Sequence, residues 1–236
     1  MSVPANPKVA KVNEVSEYKN FYVWQLPIRI FHWVNFTSGL ILILTGLYIA
    51  YPFLSSDSLH ADGFLMGGIR ITHFITGFVF TLNLLFRLYW FFMGNKYARS
   101  NPLTPKFWKG VVKYVKYYLF IPIKKEEHVE HNQLAQLTYW LFFGLGSIAI
   151  VLTGFYLFFE PQLNSGVGSL FAWVPVVFGK TAFMVRSWHH IIAWILVLFT
   201  LIHFYMSLRD TWLNKNNTIW SIFTGYKKVS KDFKGD

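Results

Sequence analysis

Apolar residues in this chain come in long, nearly unbroken runs. Four are long enough to cross a hydrocarbon core of about 30 Å, which takes roughly 20 helical residues. They are Ile30–Tyr51, Ile71–Met93, Leu134–Phe159 and His189–Leu208. Lipid offers no partner to a backbone N–H or C=O, so each run must be helical. The expected class is all-α: an integral-membrane four-helix bundle forming a single domain over residues 1–236. The runs contain no proline, and their one formal charge is Arg87. Two shorter stretches suit helices lying on the membrane surface. From Pro105 to Leu119, Trp108, Val111, Val112, Val115 and Leu119 recur at helical spacing, with Lys109, Lys113 and Lys116 on another face. The second runs from Thr218 to Tyr226, ahead of a Lys-rich tail expected to be mobile. The chain reads without an internal repeat or a low-complexity tract.

Composition sharpens this picture. The chain is 54% hydrophobic and 14% charged, against roughly a quarter charged in ordinary globular proteins, which excludes a disordered chain or a free soluble enzyme. It has no cysteine, so disulfides, thiol nucleophiles, thiolate metal sites and iron–sulfur clusters are excluded as well. The net charge of +11 does not point to nucleic acid, because the basic residues flank the apolar runs and form no single face; anionic membrane lipid accounts for them. Eighteen Lys and Arg fall before the first run, between the second and third, and after the fourth, whereas three fall in the other two loops. By the positive-inside bias, both termini and the middle loop face the cytoplasm. The polar first twenty residues do not form a cleaved secretory signal.

Five histidines lie within the runs, where an ionisable side chain is costly and usually functional, and four of them, His32, His73, His189 and His203, are the ligand candidates. With that orientation His32 and His203 fall in the inner half of the bilayer, and His73 and His189 in the outer half. Two imidazoles at each of two levels would clamp two haems. Helical phase tests this independently. At about 100° per residue, His189 and His203 differ by roughly 40° and stand about 21 Å apart along one helix face. His190 points roughly 140° away from His203 on the same basis and is the weaker ligand candidate. For any one of these histidines the alternative is a neutral core imidazole bonded to a neighbouring helix.

Smaller residues and arginines follow the histidines. His32, Gly39 and Gly46 form a stripe spaced by seven, and Gly77 lies four after His73. Glycine there would let a porphyrin plane approach the backbone, or would serve close helix packing. Arg29, Arg70 and Arg186 each precede a ligand candidate by three residues, placing a guanidinium one turn toward water, where haem propionates would emerge. Snorkelling to lipid phosphate is the alternative for each. Arg87, fourteen residues after His73, falls on the ligand stripe at the inner level. Zinc would want four ligands at one level, and non-haem iron a carboxylate within the runs; neither is present.

In Arg29-Ile30-Phe31-His32-Trp33, Arg70-Ile71-Thr72-His73, His131-Asn132-Gln133-Leu134-Ala135-Gln136, and Ser187-Trp188-His189-His190 followed by His203, the chain resembles the cytochrome b subunits of membrane-bound nickel–iron hydrogenases, relatives of those of respiratory formate dehydrogenases. The resemblance runs from about Phe21 to Tyr226. It implies that His32 and His203 hold an inner haem b and that His73 and His189 hold an outer one. It also implies a quinone site by the inner haem, with His203 and an Asn matching Asn132. His131 and Asn132 could hydrogen-bond a quinone carbonyl and relay its protons, or Asn132 could simply cap the third helix. Formate dehydrogenase subunits tend to carry Gly two residues after that Asn, where this chain has Leu134. His60 and His128 receive no role.

What the resemblance implies is a dihaem subunit in the bacterial cytoplasmic membrane. It would pass electrons from the small and large subunits of a periplasmic nickel–iron hydrogenase to menaquinone. A formate dehydrogenase or another molybdenum reductase as partner is the near alternative, and a transporter or channel with a histidine proton relay the distant one. The apolar stretch from Leu170 to Phe178 is too short to span and suits a partner-docking or membrane-dipping segment.

Overall fold

The computed structural model describes residues 18–53, 62–95, 104–119, 121, 132–164, 166–214 and 217–230. Helix α1 covers Leu26–Ala50, with Pro27 in its first turn, where a missing N–H costs nothing. Helix α2 covers Asp62–Met93. The third span is composite: α4 (Gln133–Thr138) continues through a π-helical turn at Tyr139–Leu145 into α5 (Gly146–Phe159). The fourth is α7, Ala182–Asn214. All four are long and apolar enough to cross a membrane. α2 and α7 start well before Ile71 and His189, because the apolar run measures only the lipid-facing length while the helix continues into the interface.

The side chains are sorted as lipid requires. Leu44, Leu82, Trp194 and Leu198 are exposed on the outside, whereas Ser38, Thr76, Asn83, Ser147 and Thr153 are buried between helices. The hydroxyls of Ser38 and Thr153 bond the preceding turn of their own helix, Ser38 to Val34 O at 2.6 Å and Thr153 to Ala149 O at 2.8 Å. Asn83 instead reaches across, its Nδ2 donating to Phe31 O of α1 at 3.0 Å. Helix α1 packs along α2, and α5 along α7. The two hairpins meet largely through aromatic edges: Phe74 and Phe78 against Phe158, Phe31 against Phe143, and Phe91 against Trp140.

One end of the bundle gathers the N-terminus of α1, the C-termini of α2 and α7, the start of α4, and helices α3 (Pro105–Tyr118) and α8 (Thr218–Thr224). Here the structure departs from an all-α reading. Tyr18–Tyr22 (β1) and Tyr226–Ser230 (β2) pair antiparallel, Tyr22 opposite Tyr226, so part of the tail expected to be mobile is a strand. Two five-residue polar segments some two hundred residues apart carry no periodicity long enough to announce a strand. Gly225, at φ 86°, makes the reversal from α8; a Cβ there would meet Tyr22 Cε2 at 2.7 Å. Its carbonyl accepts from Val23 N at 2.9 Å.

In α3, Phe107, Val111 and Tyr114 are buried, while Trp108, Val112, Val115 and Leu119 are exposed. The apolar face is therefore wider than the predicted stripe, and half of it packs on the protein. Gly110 lets α3 approach the start of α4, since a Cβ would lie 2.7 Å from Gln133. At the other end, Leu170–Phe178 folds into a 3₁₀ turn (Gly166–Phe171) and helix α6 (Val174–Phe178). Val174 is fully buried against Tyr156 and Val185, whereas Leu170, Val176 and Val177 remain exposed.

Candidate metal centres in the bundle

The four histidines meet as two pairs, one toward each end. Away from the termini, His73 on α2 and His189 on α7 lie close enough for their ring charges to act on each other. Thr45 Oγ1 of α1 contacts His73 Nδ1 at 2.8 Å, and Thr153 Oγ1 of α5 contacts His189 Nδ1 at 2.9 Å. The next residue in each helix is glycine, and a Cβ on Gly46 or Gly154 would lie 3.3 Å from Cε1 of the same ring. Toward the termini, His32 of α1 and His203 of α7 are likewise within electrostatic reach of each other. Tyr139, the first residue of the π-helical turn, places its hydroxyl 2.7 Å from His203 Nδ1. Phe199 stacks on the His203 ring. His32 Nδ1 is buried without a hydrogen-bond partner among the described residues, as is Asn35 Oδ1 one turn on.

This geometry reveals a repeat that the sequence reading missed. Leu44-Thr45-Gly46-Leu47-Tyr48 in α1 matches Leu152-Thr153-Gly154-Phe155-Tyr156 in α5, and both tyrosines are buried. Each pentapeptide faces a helix that carries Arg-x-x-His, at Arg70–His73 and at Arg186–His189. The α1–α2 and α5–α7 hairpins therefore present the same cradle to opposed histidines. Five residues recurring once, over a hundred positions apart, fall below what periodicity detects.

Other candidates are placed less simply. His190 is exposed on α7, as its phase requires. Gly39 and Gly77 have nothing within 4 Å of an added Cβ, so of the predicted stripe only Gly46 touches a histidine. Arg29 donates through Nη2 to Phe223 O of α8, leaving its buried Nε without a partner among the described residues. Arg186 pairs with Glu160 at 3.6 Å. Arg70 is exposed, and Arg87 lies partly buried, 6.0 Å from the Phe31 ring centre. Asn132 caps α4, its Oδ1 accepting from Ala135 N at 2.9 Å, and lies within hydrogen-bonding reach of the Tyr118 phenol. Burial pushes that phenol up, while the Arg209 guanidinium and Asn132 act against it. His131, His60 and His128 lie outside the described residues.

The donor set fits a metal whose other ligands come from a macrocycle. Among the described residues no group of three or more His, Asp or Glu could hold an ion alone. Each level instead offers two imidazoles, and the pair away from the termini is flanked by bare glycine backbone. Two imidazoles per level, inside helices sorted for lipid, define a multi-pass membrane protein of the cytochrome b kind. The chain belongs to the prokaryotic cytochrome b561 family, whose model matches residues 23–225. It is 34% identical over 216 residues to the probable Ni/Fe-hydrogenase B-type cytochrome subunit of Azotobacter vinelandii, covering 89% of this chain and 90% of that protein. The like-named subunit of Cupriavidus necator is 32% identical over 89% of this chain and 87% of its own length. The probable Ni/Fe-hydrogenase 1 B-type cytochrome subunit of Escherichia coli K12 is 33% identical over 87% of this chain and 90% of its own length.

Proposed function

We propose that this chain is a dihaem b-type cytochrome subunit that anchors a nickel–iron hydrogenase in the bacterial cytoplasmic membrane and carries its electrons to a quinone. The observation that carries this reading is the two imidazole pairs, His73 with His189 and His32 with His203, partly buried at two levels of one bundle. A haem held by His73 and His189, or by His32 and His203, would supply reversible one-electron chemistry. The chain's own part is to hold, orient and insulate: lipid-facing Leu, Phe and Trp exclude water, and paired helices set the separation between levels. Arg70 is free to meet a propionate from the interface. Arg29 and Arg186 share their charge with Phe223 O and Glu160, and Arg87 serves the inner level.

The bias of Lys and Arg orients the bundle with both termini, α3 and α8 in the cytoplasm, and the exposed face of α3 then rests on the inner leaflet. The hydrogenase small subunit, carrying the large subunit, docks at the opposite end, where Leu170, Val176 and Val177 are exposed. Menaquinone is the acceptor at the cytoplasmic end beside His203. Asn132 Oδ1 is engaged in the cap, and its amide nitrogen, which has two protons and the Tyr118 phenol within reach of them, is the group that donates to a quinone carbonyl, with His131 adjacent in sequence.

A pyridine haemochrome assay on the purified full chain tests the cofactor, with two b haems per chain expected. Metal analysis of the complex isolated in mild detergent tests the partner. Nickel is expected, and molybdenum in its place would transfer the anchor to a formate dehydrogenase type of enzyme.

A further inference from the structure

Thr45 and Thr153 do the same thing in different helices, and the direction of their hydrogen bonds can be worked out. Each hydroxyl has one proton to give. Thr45 Oγ1 donates to Ile41 O at 2.7 Å, and Thr153 Oγ1 to Ala149 O at 2.8 Å. Longer contacts to Leu42 O at 3.3 Å and Ile150 O at 3.1 Å share that same proton. With the proton directed back into the helix, each oxygen can only accept at the imidazole it touches. In that arrangement His73 Nδ1 and His189 Nδ1 supply the hydrogen of each contact.

We infer that Thr45 and Thr153 are positioning residues that lock His73 and His189 in the Nδ1–H tautomer and so present both Nε2 lone pairs to one metal. This rests on the haem-binding reading above. The neighbouring glycines complete the clamp: the hydroxyl fixes one edge of the ring, and bare backbone at Gly46 or Gly154 admits Cε1. The pair nearer the termini is held differently, by a phenol on one ring and no threonine on either among the described residues. Tyr139 meets His203, and His32 Nδ1 is buried with no partner among the described residues. An acceptor on Nδ1–H makes an imidazole the more basic ligand, which favours the oxidised metal. The threonines therefore hold down the potential of the centre far from the termini and leave the other centre alone.

The full-length, haem-loaded chain in detergent provides the test. Thr45→Val and Thr153→Val keep the shape and remove the hydroxyl; Thr→Ser at each position restores it. Haem affinity is read by competition with a soluble apo-haemoprotein, and potentials by optical redox titration. Each Val variant should lower haem affinity at one of the two sites by about 10- to 100-fold and raise the potential of that centre alone, with Ser restoring both. Should Val block insertion, Ser and Ala, which differ only by the hydroxyl, carry the same comparison. Haem-loaded wild type matched by its Val or Ala variants in both readouts overturns the inference. A wild-type chain that binds no haem instead overturns the function on which it rests.

Discussion

Gly46 of α1 faces His73 of α2 so closely that a Cβ would sit 3.3 Å from the ring's Cε1, and Gly154 of α5 stands in the same relation to His189. An alanine asks the ring to give a few tenths of an ångström, whereas the γ-methyls of valine demand more than a packed bundle can yield. Gly46→Ala and Gly154→Ala are expected to keep two haems per chain with reduced affinity at one. Gly46→Val should lose the haem held by His73 and His189, leaving one. Gly68, with nothing within 4 Å of an added Cβ, supplies the neutral control as Gly68→Ala. Pyridine haemochrome counts on the purified variants decide, and two haems in Gly46→Val would show that the close approach does not matter.

His189 and His190 adjoin in sequence but face different surroundings: His189 is partly buried opposite His73, and His190 is exposed on the outer surface of α7. His190→Ala is expected to leave the haem content at two, and His189→Ala to reduce it to one. The same assay checks both. The reverse result would reassign the ligand and undo the pairing.

The spans, the two histidine levels and the outward direction of His190 were legible in the sequence because a helix in lipid leaves little freedom. Its length is fixed by the bilayer and the direction of each side chain by a period of 3.6. What escaped belongs to contacts between segments. The β1–β2 ribbon depends on a partner some two hundred residues away. Thr45 and Thr153 read as ordinary residues of apolar runs until the imidazole opposite each is known. Arg186 fitted the spacing for a propionate partner, yet Glu160 sits within 3.6 Å of it, and no rule of spacing along one helix reaches a residue on another. The π-helical turn, a backbone choice without a composition of its own, lay outside any pattern of apolar positions.

Asn132 separates two roles that one residue can hold together. Its Oδ1 caps α4 through Ala135 N, so Asn132→Ala is expected to cost about 0.5–2 kcal/mol, measured as a lowered midpoint in thermal or denaturant unfolding. Asn132→Ser retains a capping oxygen and lacks the amide. If the amide donates to a quinone, Asn132→Ser keeps stability and both haems but slows reduction of a menaquinone analogue by the hydrogen-reduced complex. Wild-type rates in the serine variant would restrict Asn132 to the cap.

Tyr139 reaches His203 because the third span changes pitch where it does. A π-helical turn holds one residue more than the α-helical spacing around it, and such turns gather at functional sites. Here it lets α5 aim Thr153 and Gly154 at His189 while Tyr139, two turns earlier than the regular helix begins its approach, is aimed at His203. Removing one residue takes up the extra residue of the wide turn and restores regular pitch, so the flanking helices keep nearly their phase while side chains within the turn, Tyr139 among them, change direction. Phe142 is the residue to delete, since it lies within the turn and is half exposed on the lipid side. The deletion should leave the centre at His73 and His189 unchanged and disturb the one at His32 and His203, lowering its haem affinity. Tyr139→Phe, which keeps the backbone and removes only the hydroxyl, should shift the potential of that same centre without loss of haem. Redox titration resolving two components checks both variants. If neither variant moves the centre at His203, the contact between Tyr139 and that ring has no part in tuning it, and the change of pitch must serve packing alone.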